Sequence, residues 1–202
     1  MFFSVFFRRL YIGLSALLLV VIGAVAVLPR SDIAAHAERH PAFDLAEFFE
    51  GSTVAYGIFE DRFGNLRRQF RVEIEARQSG NMLTLDERFL YADGEQGRRI
   101  WKIEKQQIDG VWHYSGQAED ITGQAKGRIS GNTMSWQYDI VLQLSGLEMQ
   151  VSFDDFIYQI DEDIAINRAY VSKWGIDIGS VTLVFLKDGL AAEKLPLNLK
   201  NW

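Results

Sequence analysis

The sequence has no cysteine, only three prolines and only three histidines. Without cysteine the chain forms no disulfide, no thiolate–metal site and no lipid-modified N-terminal cysteine. The histidines are scattered at His36, His40 and His113, so no histidine-based metal site is predicted. The sequence also lacks a phosphate-binding loop, a nucleophile elbow and a dinucleotide fingerprint. We therefore predict no catalytic residue, no metal and no cofactor, and we favour a function other than catalysis.

Charge is unevenly distributed along the chain, which carries 21 basic and 27 acidic residues and a formal net charge of −6. Three of the basic residues, Arg8, Arg9 and Arg30, precede the first acidic residue, Asp32. The chain after Arg30 therefore keeps 18 basic residues against 27 acidic ones, a formal charge of −9. Such an acidic domain repels phosphate backbones, and no nucleic-acid partner is predicted.

A long apolar run near the N-terminus extends from Leu10 to Leu28 without a charged residue. As a helix it would measure about 28 Å, close to the thickness of the hydrocarbon core of a bilayer. Because Arg8 and Arg9 precede it, the positive-inside rule places the rest of the chain outside the cytoplasm. We predict a single-pass anchor in the bacterial inner membrane, with the domain in the periplasm. The alternative is a signal peptide cleaved at a small-residue site, either Ala24-Val25-Ala26 or Ala35-His36-Ala37.

After a short predicted helix from Phe43 to Glu50, apolar and polar residues alternate with a period of two. This alternation is typical of strands with one solvent-exposed face, and turn sequences such as Asp93-Gly94 separate the runs. The ten predicted strands are 52–60, 66–78, 82–92, 98–106, 111–119, 121–130, 133–145, 148–160, 164–174 and 178–187. Strands at hairpin spacing predict an all-β antiparallel meander that closes into a barrel or half-barrel; a two-sheet sandwich is the alternative. The predicted domain organisation is an anchor or signal peptide at 1–30, a linker at 31–42, the barrel-like domain at 43–190 and a tail at 191–202.

Small residues and large aromatic residues share one face of three neighbouring predicted strands. Gly123, Ala125, Gly127 and Gly131 have even spacings and therefore lie on one face of their strand. The flanking strands offer four aromatic residues: Trp112, Tyr114, Trp136 and Tyr138. The aromatic rings either lie across the glycines and fill the barrel, or they wall a slot that suits a long apolar ligand.

Charged residues also occupy positions where the alternation predicts inward side chains. Glu87 and Arg99 meet this condition on one hairpin, and Asp155 and Arg168 meet it on another. Asp154-Asp155 additionally predicts a β-bulge, because the phase of the apolar residues slips there. Since buried charges need partners, we predict the pairs Glu87–Arg99 and Asp155–Arg168. Either these pairs fix the strand register, or Arg99 or Arg168 binds the anionic headgroup of a ligand.

Several sequence blocks between Phe48 and Lys187 occur in the same order as in a known family. They are Phe48-Phe49-Glu50-Gly51, Asp61-Arg62-Phe63-Gly64, Leu85-Asp86-Glu87-Arg88-Phe89, Arg98-Arg99-Ile100-Trp101, Trp136-Gln137-Tyr138, Phe153-Asp154-Asp155-Phe156, Asn167-Arg168-Ala169 and Lys173-Trp174-Gly175. The chain thereby resembles the bacterial envelope proteins called domain of unknown function 3833. The resemblance implies a lipocalin-like barrel and no known catalytic residue. Members are often described as lipoproteins, whereas this chain has no cysteine to carry a lipid.

The combined observations predict a membrane-tethered domain that binds a lipid-like or other small hydrophobic molecule. The predicted ligand-binding residues are Glu87, Arg99, Trp101, Trp112, Tyr114, Gly123, Gly127, Trp136, Tyr138, Asp155 and Arg168. One alternative is a structural or assembly protein of the cell envelope whose barrel is filled. A second is a cofactor-free lipid-modifying enzyme, which requires a raised pKa for Glu87 or Asp155 in a water-accessible pocket.

Overall fold

The computed structural model describes residues 32–108, 111–144 and 147–187. Within these ranges the chain forms a 3₁₀ turn (Ile33–His36), one short helix, α1 (Leu45–Phe49), and ten strands. The strands are β1 (Gly51–Asp61), β2 (Leu66–Ser79), β3 (Met82–Tyr91), β4 (Gln96–Ile108), β5 (Val111–Gln117), β6 (Ile121–Ser130), β7 (Thr133–Leu144), β8 (Leu147–Gln159), β9 (Ile164–Lys173) and β10 (Ile176–Lys187). The predicted membrane helix from Leu10 to Leu28 lies outside the described residues. Among the residues that are described, no helix has the length and apolar character required to cross a bilayer.

The ten strands form one sheet that closes on itself. Each strand pairs antiparallel with its neighbours in sequence, and β1 also pairs with β10. Gly57 of β1, for example, lies opposite Phe70 of β2 on one side and Leu183 of β10 on the other. The predicted meander and the predicted barrel are confirmed, and the half-barrel and two-sheet sandwich alternatives are wrong because the sheet is a closed barrel.

The interior of the barrel is formed by alternate residues of the strands. In β2, Phe70, Val72 and Ile74 are buried, whereas Glu75 and Arg77 are exposed. Side chains on a strand point to opposite faces in turn, so a period of two in hydrophobicity decides which residues leave water. The burial of these apolar faces is the main favourable contribution to folding.

Helix α1 closes one end of the barrel. Asp44 caps the helix by accepting hydrogen bonds from two backbone N–H groups of the first turn, at 2.9 and 3.2 Å. Phe49 is buried and packs edge-to-face against Phe185 of β10, with ring centroids 5.2 Å apart. Gly51 follows with a φ of 89°, a conformation that favours glycine and ends the helix. The helix is shorter than the predicted segment 43–50, but it lies where it was predicted.

The predicted β-bulge at Asp154-Asp155 is wrong. Strand β8 pairs with β7 without a register shift along this stretch, and Asp155 lies opposite Trp136. The alternation therefore continues, with Asp155 inside the barrel and Phe156 on the opposite face. Phe156 packs edge-to-face against Tyr170 of β9, with centroids 6.3 Å apart. Apolar residues lie on both faces of β8 and β9 and resemble a slip in phase, and this is why the sequence pattern misleads here.

The predicted inward position of Arg168 is wrong for the same reason. The buried residues of β9 alternate as Ala165, Asn167, Ala169 and Val171. The side chain of Arg168 points outward and is 40% exposed. It donates a hydrogen bond to the Thr182 hydroxyl at 2.7 Å, and its nearest carboxylate oxygen, on Glu60, lies 3.8 Å away. Asp155 therefore does not form the predicted pair with Arg168.

Candidate ligand-binding cavity

The barrel contains an internal cavity of about 360 Å³. This volume falls within the range of small-molecule sites in proteins, roughly 300–1,000 Å³. Leu45 and Phe49 of α1 line the cavity at the closed end. Arg68 and Arg99 line it at the other end, which we call the mouth, and their side chains are 34% and 20% exposed. Besides Phe49, the aromatic part of the wall is formed by Phe59, Phe70, Phe89, Tyr91, Trp101, Trp136, Tyr138, Phe153 and Phe185.

Trp136 fills the space above the glycines of β5 and β6. A Cβ atom added at Gly127 would lie 2.5 Å from the Trp136 ring, and one added at Gly116 would lie 2.6 Å from it. Because no side chain fits between the ring and the backbone, these two glycines allow the indole to lie flat against the barrel wall. At Gly127 an aromatic ring therefore lies across the glycine, as in the first of the two explanations that the sequence offers. The cavity lies on the far side of Trp136.

Three other residues predicted to bind ligand lie away from the cavity. Gly123 is exposed, has a φ of 75° and sits where the register of β6 with β7 shifts. Trp112 is 43% exposed, and the Lys105 ammonium lies 4.5 Å from its ring centroid. Tyr114 is buried but does not line the cavity. The alternation predicts the face of a residue correctly at Tyr114, but it does not predict how far along the barrel the cavity extends.

The aromatic side chains that border the cavity form one connected cluster. Trp101 packs edge-to-face against Trp136 at 5.6 Å and against Tyr138 at 5.3 Å between ring centroids. Tyr138 in turn stacks on Phe153 at 5.1 Å, with nearly parallel planes. Such contacts restrict the ring rotamers, so the cluster provides a rigid apolar wall.

Glu87 of β3 places a carboxyl group in this apolar wall. It keeps some accessible surface because it borders the cavity, although protein atoms surround it on the other sides. Loss of hydration raises the pKa of Glu87 to about 7; the positive charge of Arg99 and a hydrogen bond from Trp101 act in the opposite direction. At neutral pH both the protonated and the ionised form of the carboxyl are therefore populated.

Asp155 of β8 places a second carboxyl group in the wall, next to Asn167 of β9. Both residues are buried, with 6% and 4% of their surface exposed, and the Asn167 amide donates to Asp155 Oδ2 at 3.3 Å. The Oδ1 atoms of Asp155 and Asn167 have no hydrogen-bond partner among the described residues. Burial raises the pKa of Asp155 to about 7, against the hydrogen bond from Asn167, which lowers it.

Arg99 of β4 lies opposite Glu87 in the register, as predicted, but its guanidinium group binds Asp120. Its Nε and Nη2 atoms donate to both carboxylate oxygens of Asp120, and the shortest of these distances is 2.7 Å. This fork geometry is the strongest arrangement that arginine forms with a carboxylate. The charge of Arg99 is thus balanced at the mouth, and its influence on Glu87 is electrostatic rather than a direct bond.

Sequence reasoning missed three residues that shape the site. Asp120 lies near the β5–β6 turn, where nothing in the sequence distinguishes it from a solvated acid. Arg68 stacks on Tyr91 with 3.7 Å between the guanidinium carbon and the ring centroid, and also contacts two carboxylates at the mouth. Asn167 belongs to one of the family blocks, but the alternation predicted for β9 places its side chain outside the barrel. The half-buried outer face of β9 carries Ile164, Ile166 and Tyr170, so it has the apolar pattern expected of an interior face.

The closed meander and the internal cavity define the chain as a lipocalin-like barrel. The S-type phycobiliprotein lyase CPES from Guillardia theta has this fold: it is 8% identical, the match covers 72% of this chain and 93% of that chain, and the TM-score is 0.56. A de novo designed fluorescence-activating β-barrel is 13% identical over 71% of this chain and 97% of its own, with a TM-score of 0.38. No curated protein matches the sequence. The chain belongs to the family described as protein of unknown function DUF3833, whose model matches residues 22–187, and the resemblance in its sequence blocks is confirmed.

Proposed function

We propose that the barrel binds a lipid-like or other small hydrophobic molecule. The observation that carries the proposal is the cavity of about 360 Å³, which has a largely apolar wall and a small number of polar groups. Apolar walls with a few placed polar groups are the usual composition of small-molecule sites, because the wall supplies affinity and the polar groups supply orientation. The presence of this cavity also argues against a barrel that serves only as a filled structural unit.

We further propose that the apolar run from Leu10 to Leu28 holds the barrel at the periplasmic face of the bacterial inner membrane. The length of the run, its lack of charge and the preceding Arg8 and Arg9 support this location. A membrane location would give the cavity access to amphipathic molecules. A reporter domain fused after Trp202 should be active in the periplasm and inactive in the cytosol; the reverse result would contradict this part of the proposal.

Binding is tested with the full chain purified from bacteria. Native mass spectrometry should show a stoichiometric adduct of a few hundred daltons, and the neutral dye Nile red should bind with increased fluorescence. Ala169 is buried, lines the cavity and lies opposite Asp155, so Ala169→Phe places a ring inside the cavity. Gln150→Phe places the same ring on the exposed face of β8 and serves as the control.

We expect Ala169→Phe to abolish both the adduct and the dye signal, and Gln150→Phe to keep both. Wild-type protein that shows only its own mass and no saturable dye binding would contradict the proposal. Equal dye binding by both variants would show that the dye does not report on the cavity, and the adduct would then decide between the outcomes.

The two carboxyl groups in the cavity wall favour a second candidate, a cofactor-free enzyme that modifies lipids. Glu87 and Asp155 both have a pKa of about 7 inside a cavity, and general acid–base catalysis at neutral pH uses groups of this kind. Incubation of the chain with bacterial lipid extract should then change the mass of a lipid species. Turnover that persists in both Glu87→Gln and Asp155→Asn would remove this candidate.

A further inference from the structure

An anionic ligand would require a positively charged group in the cavity wall that has no carboxylate partner. Two arginines line the cavity, and each already has carboxylate partners. Arg99 binds Asp120, and Arg68 lies 3.1 Å from Asp93 and 2.8 Å from Glu95. A carboxylate or phosphate headgroup entering the cavity would therefore meet arginines whose positive charge is already balanced by carboxylates, which weakens its attraction.

The acidic groups in the wall, unlike the arginines, have no partner of opposite charge in direct contact among the described residues. Within the described part of the chain, no lysine, arginine or histidine nitrogen lies within 4 Å of the Asp155 or Glu87 carboxylate. Oδ1 of Asp155 and Oδ1 of Asn167 are both acceptors, and both lack a hydrogen-bond partner in that part of the chain. Buried acceptors without donors are costly, so the wall is complementary to a ligand group that carries several hydrogen-bond donors.

The surroundings of these acceptors also favour a positive charge. Trp101 donates a hydrogen bond to Glu87, and Trp136 lies opposite Asp155 in the register. Tyr138 contacts Trp101 and is influenced by the charges of both Asp155 and Glu87. Aromatic rings attract cations through their negative faces, most strongly where water is excluded.

We propose that the occupant of the cavity is a hydrophobic amine, whose ammonium group is bound by Asp155 and Asn167 and attracted by the Glu87 carboxyl from across the barrel. This inference rests on the proposed binding function and specifies the class of its ligand. An alkylammonium group has three N–H donors, and two of them match the unpartnered Oδ1 atoms of Asp155 and Asn167 on the adjacent strands β8 and β9. The apolar part of the amine then occupies the space between the aromatic cluster and the mouth.

The carboxyl groups are electrostatically suited to this role. Glu87 is influenced by Arg99, Asp120 and Asp86, and Asp155 by Arg99, Asp154 and Glu87. Without a ligand, burial keeps the pKa of both carboxyls raised. A bound ammonium supplies the missing opposite charge, so binding lowers these pKa values and releases protons. Affinity for an amine should therefore increase as the pH rises through 7, until the amine itself loses its proton.

The test compares three ligands with the same ten-carbon chain and different headgroups: decylamine, decanol and decanoate. Each is titrated against Nile red bound to the full chain in a nonionic amphipol at pH 7.5. We expect decylamine to bind about 10- to 100-fold more tightly than decanol and decanoate, the difference expected for hydrogen bonds to a charged group. Raising the pH from 6 to 8 should strengthen the binding of decylamine and leave that of decanol unchanged.

Variants of single carboxyl groups test whether the preference for decylamine arises in the cavity. Asp155→Asn should reduce the preference for decylamine over decanol by about tenfold, and Glu87→Gln, which removes a carboxyl on the opposite side of the cavity, should reduce it by a smaller factor. Asp154→Asn removes the neighbouring carboxylate on the outer face of β8, which accepts a hydrogen bond from Gln137, and should keep the wild-type preference. Asp155 and Asp154 are adjacent in sequence, so this pair separates the cavity from the general negative charge of the domain.

The possible results distinguish the inference from the function on which it rests. If decanoate or decanol binds as tightly as decylamine, the inference that the ligand is an amine is wrong, and the proposal of a hydrophobic binding site remains. A preference for decylamine that persists in both Asp155→Asn and Glu87→Gln would also overturn it. If Nile red does not bind the wild-type chain and no ligand changes its fluorescence, the binding function itself fails.

Discussion

The buried carboxyl of Asp155 should make the barrel less stable at pH 8 than at pH 4. Its pKa is raised from 3.8 in the unfolded chain to about 7 in the folded protein, mainly by burial. The folded state therefore holds its proton more tightly than the unfolded state does. A raised pKa of this kind contributes stability below pH 4, and this contribution is lost as the pH rises through 7.

The size of the effect follows from the shift in pKa. A difference of about three pKa units corresponds to about 4 kcal/mol, at about 1.4 kcal/mol per unit. For a domain of this length, 1 kcal/mol changes Tm by about 2–4 °C. We therefore expect the Asp155 contribution to lower Tm by roughly 8–16 °C between pH 4 and pH 8.

Thermal unfolding of the full chain, followed by near-ultraviolet circular dichroism, measures this effect. Asp155→Asn keeps the shape of the side chain and removes its ionisation, so its Tm should fall less between pH 4 and pH 8 than that of the wild type, with the remaining fall due to Glu87, and should exceed the wild-type Tm at pH 8. Asp154→Asn, on the outer face, should follow the wild-type curve. Parallel curves for the wild type and Asp155→Asn would refute the reasoning, because the carboxyl would then be solvated.

Three further predictions concern the wall, the mouth and the closed end. Gly127→Ala places a Cβ atom 2.5 Å from the overlying indole ring, so we expect a loss of about 1–3 kcal/mol, measured as a lower Tm. Asp120→Asn leaves the charge of Arg99 unbalanced, so the pKa of Glu87 should fall, measured by the pH dependence of its carboxyl carbon signal in NMR. Asp44→Ala removes the cap of α1, and we expect a loss of about 1 kcal/mol and faster hydrogen exchange in the helix.

The strands of the barrel could be predicted from the sequence because one physical rule governs each of them. A strand with one face inside and one face in water must alternate, as residues 70–76 and 133–140 do. The observed strands β2 and β7 begin at the predicted residues, Leu66 and Thr133. Turn residues then limit the length of each strand, so the meander follows from local information.

The positions of individual site residues depend on packing that the pattern does not contain. On β9 the outward Tyr170 packs against Phe156, so the outer face is as apolar as the inner one and the phase cannot be decided locally. The predicted site therefore includes Arg168, whereas the residue that lines the cavity is Asn167. At the mouth, the partner of Arg99 comes from the β5–β6 turn, and the sequence separation between Arg99 and Asp120 hides this contact.

The two buried carboxyls also distinguish between the explanations that the sequence left open. An ion pair that only fixes the register requires a cation for each acid, and Asp155 has a neutral amide as its partner instead. One hydrogen bond of about 1 kcal/mol does not offset the burial of a carboxylate, which costs several kcal/mol. In the isolated barrel, a proton compensates for this cost at low pH, as the raised pKa indicates. Near neutral pH a bound cation would compensate for it more effectively, and this is why a site that destabilises the empty barrel fits a binding role better than a structural one.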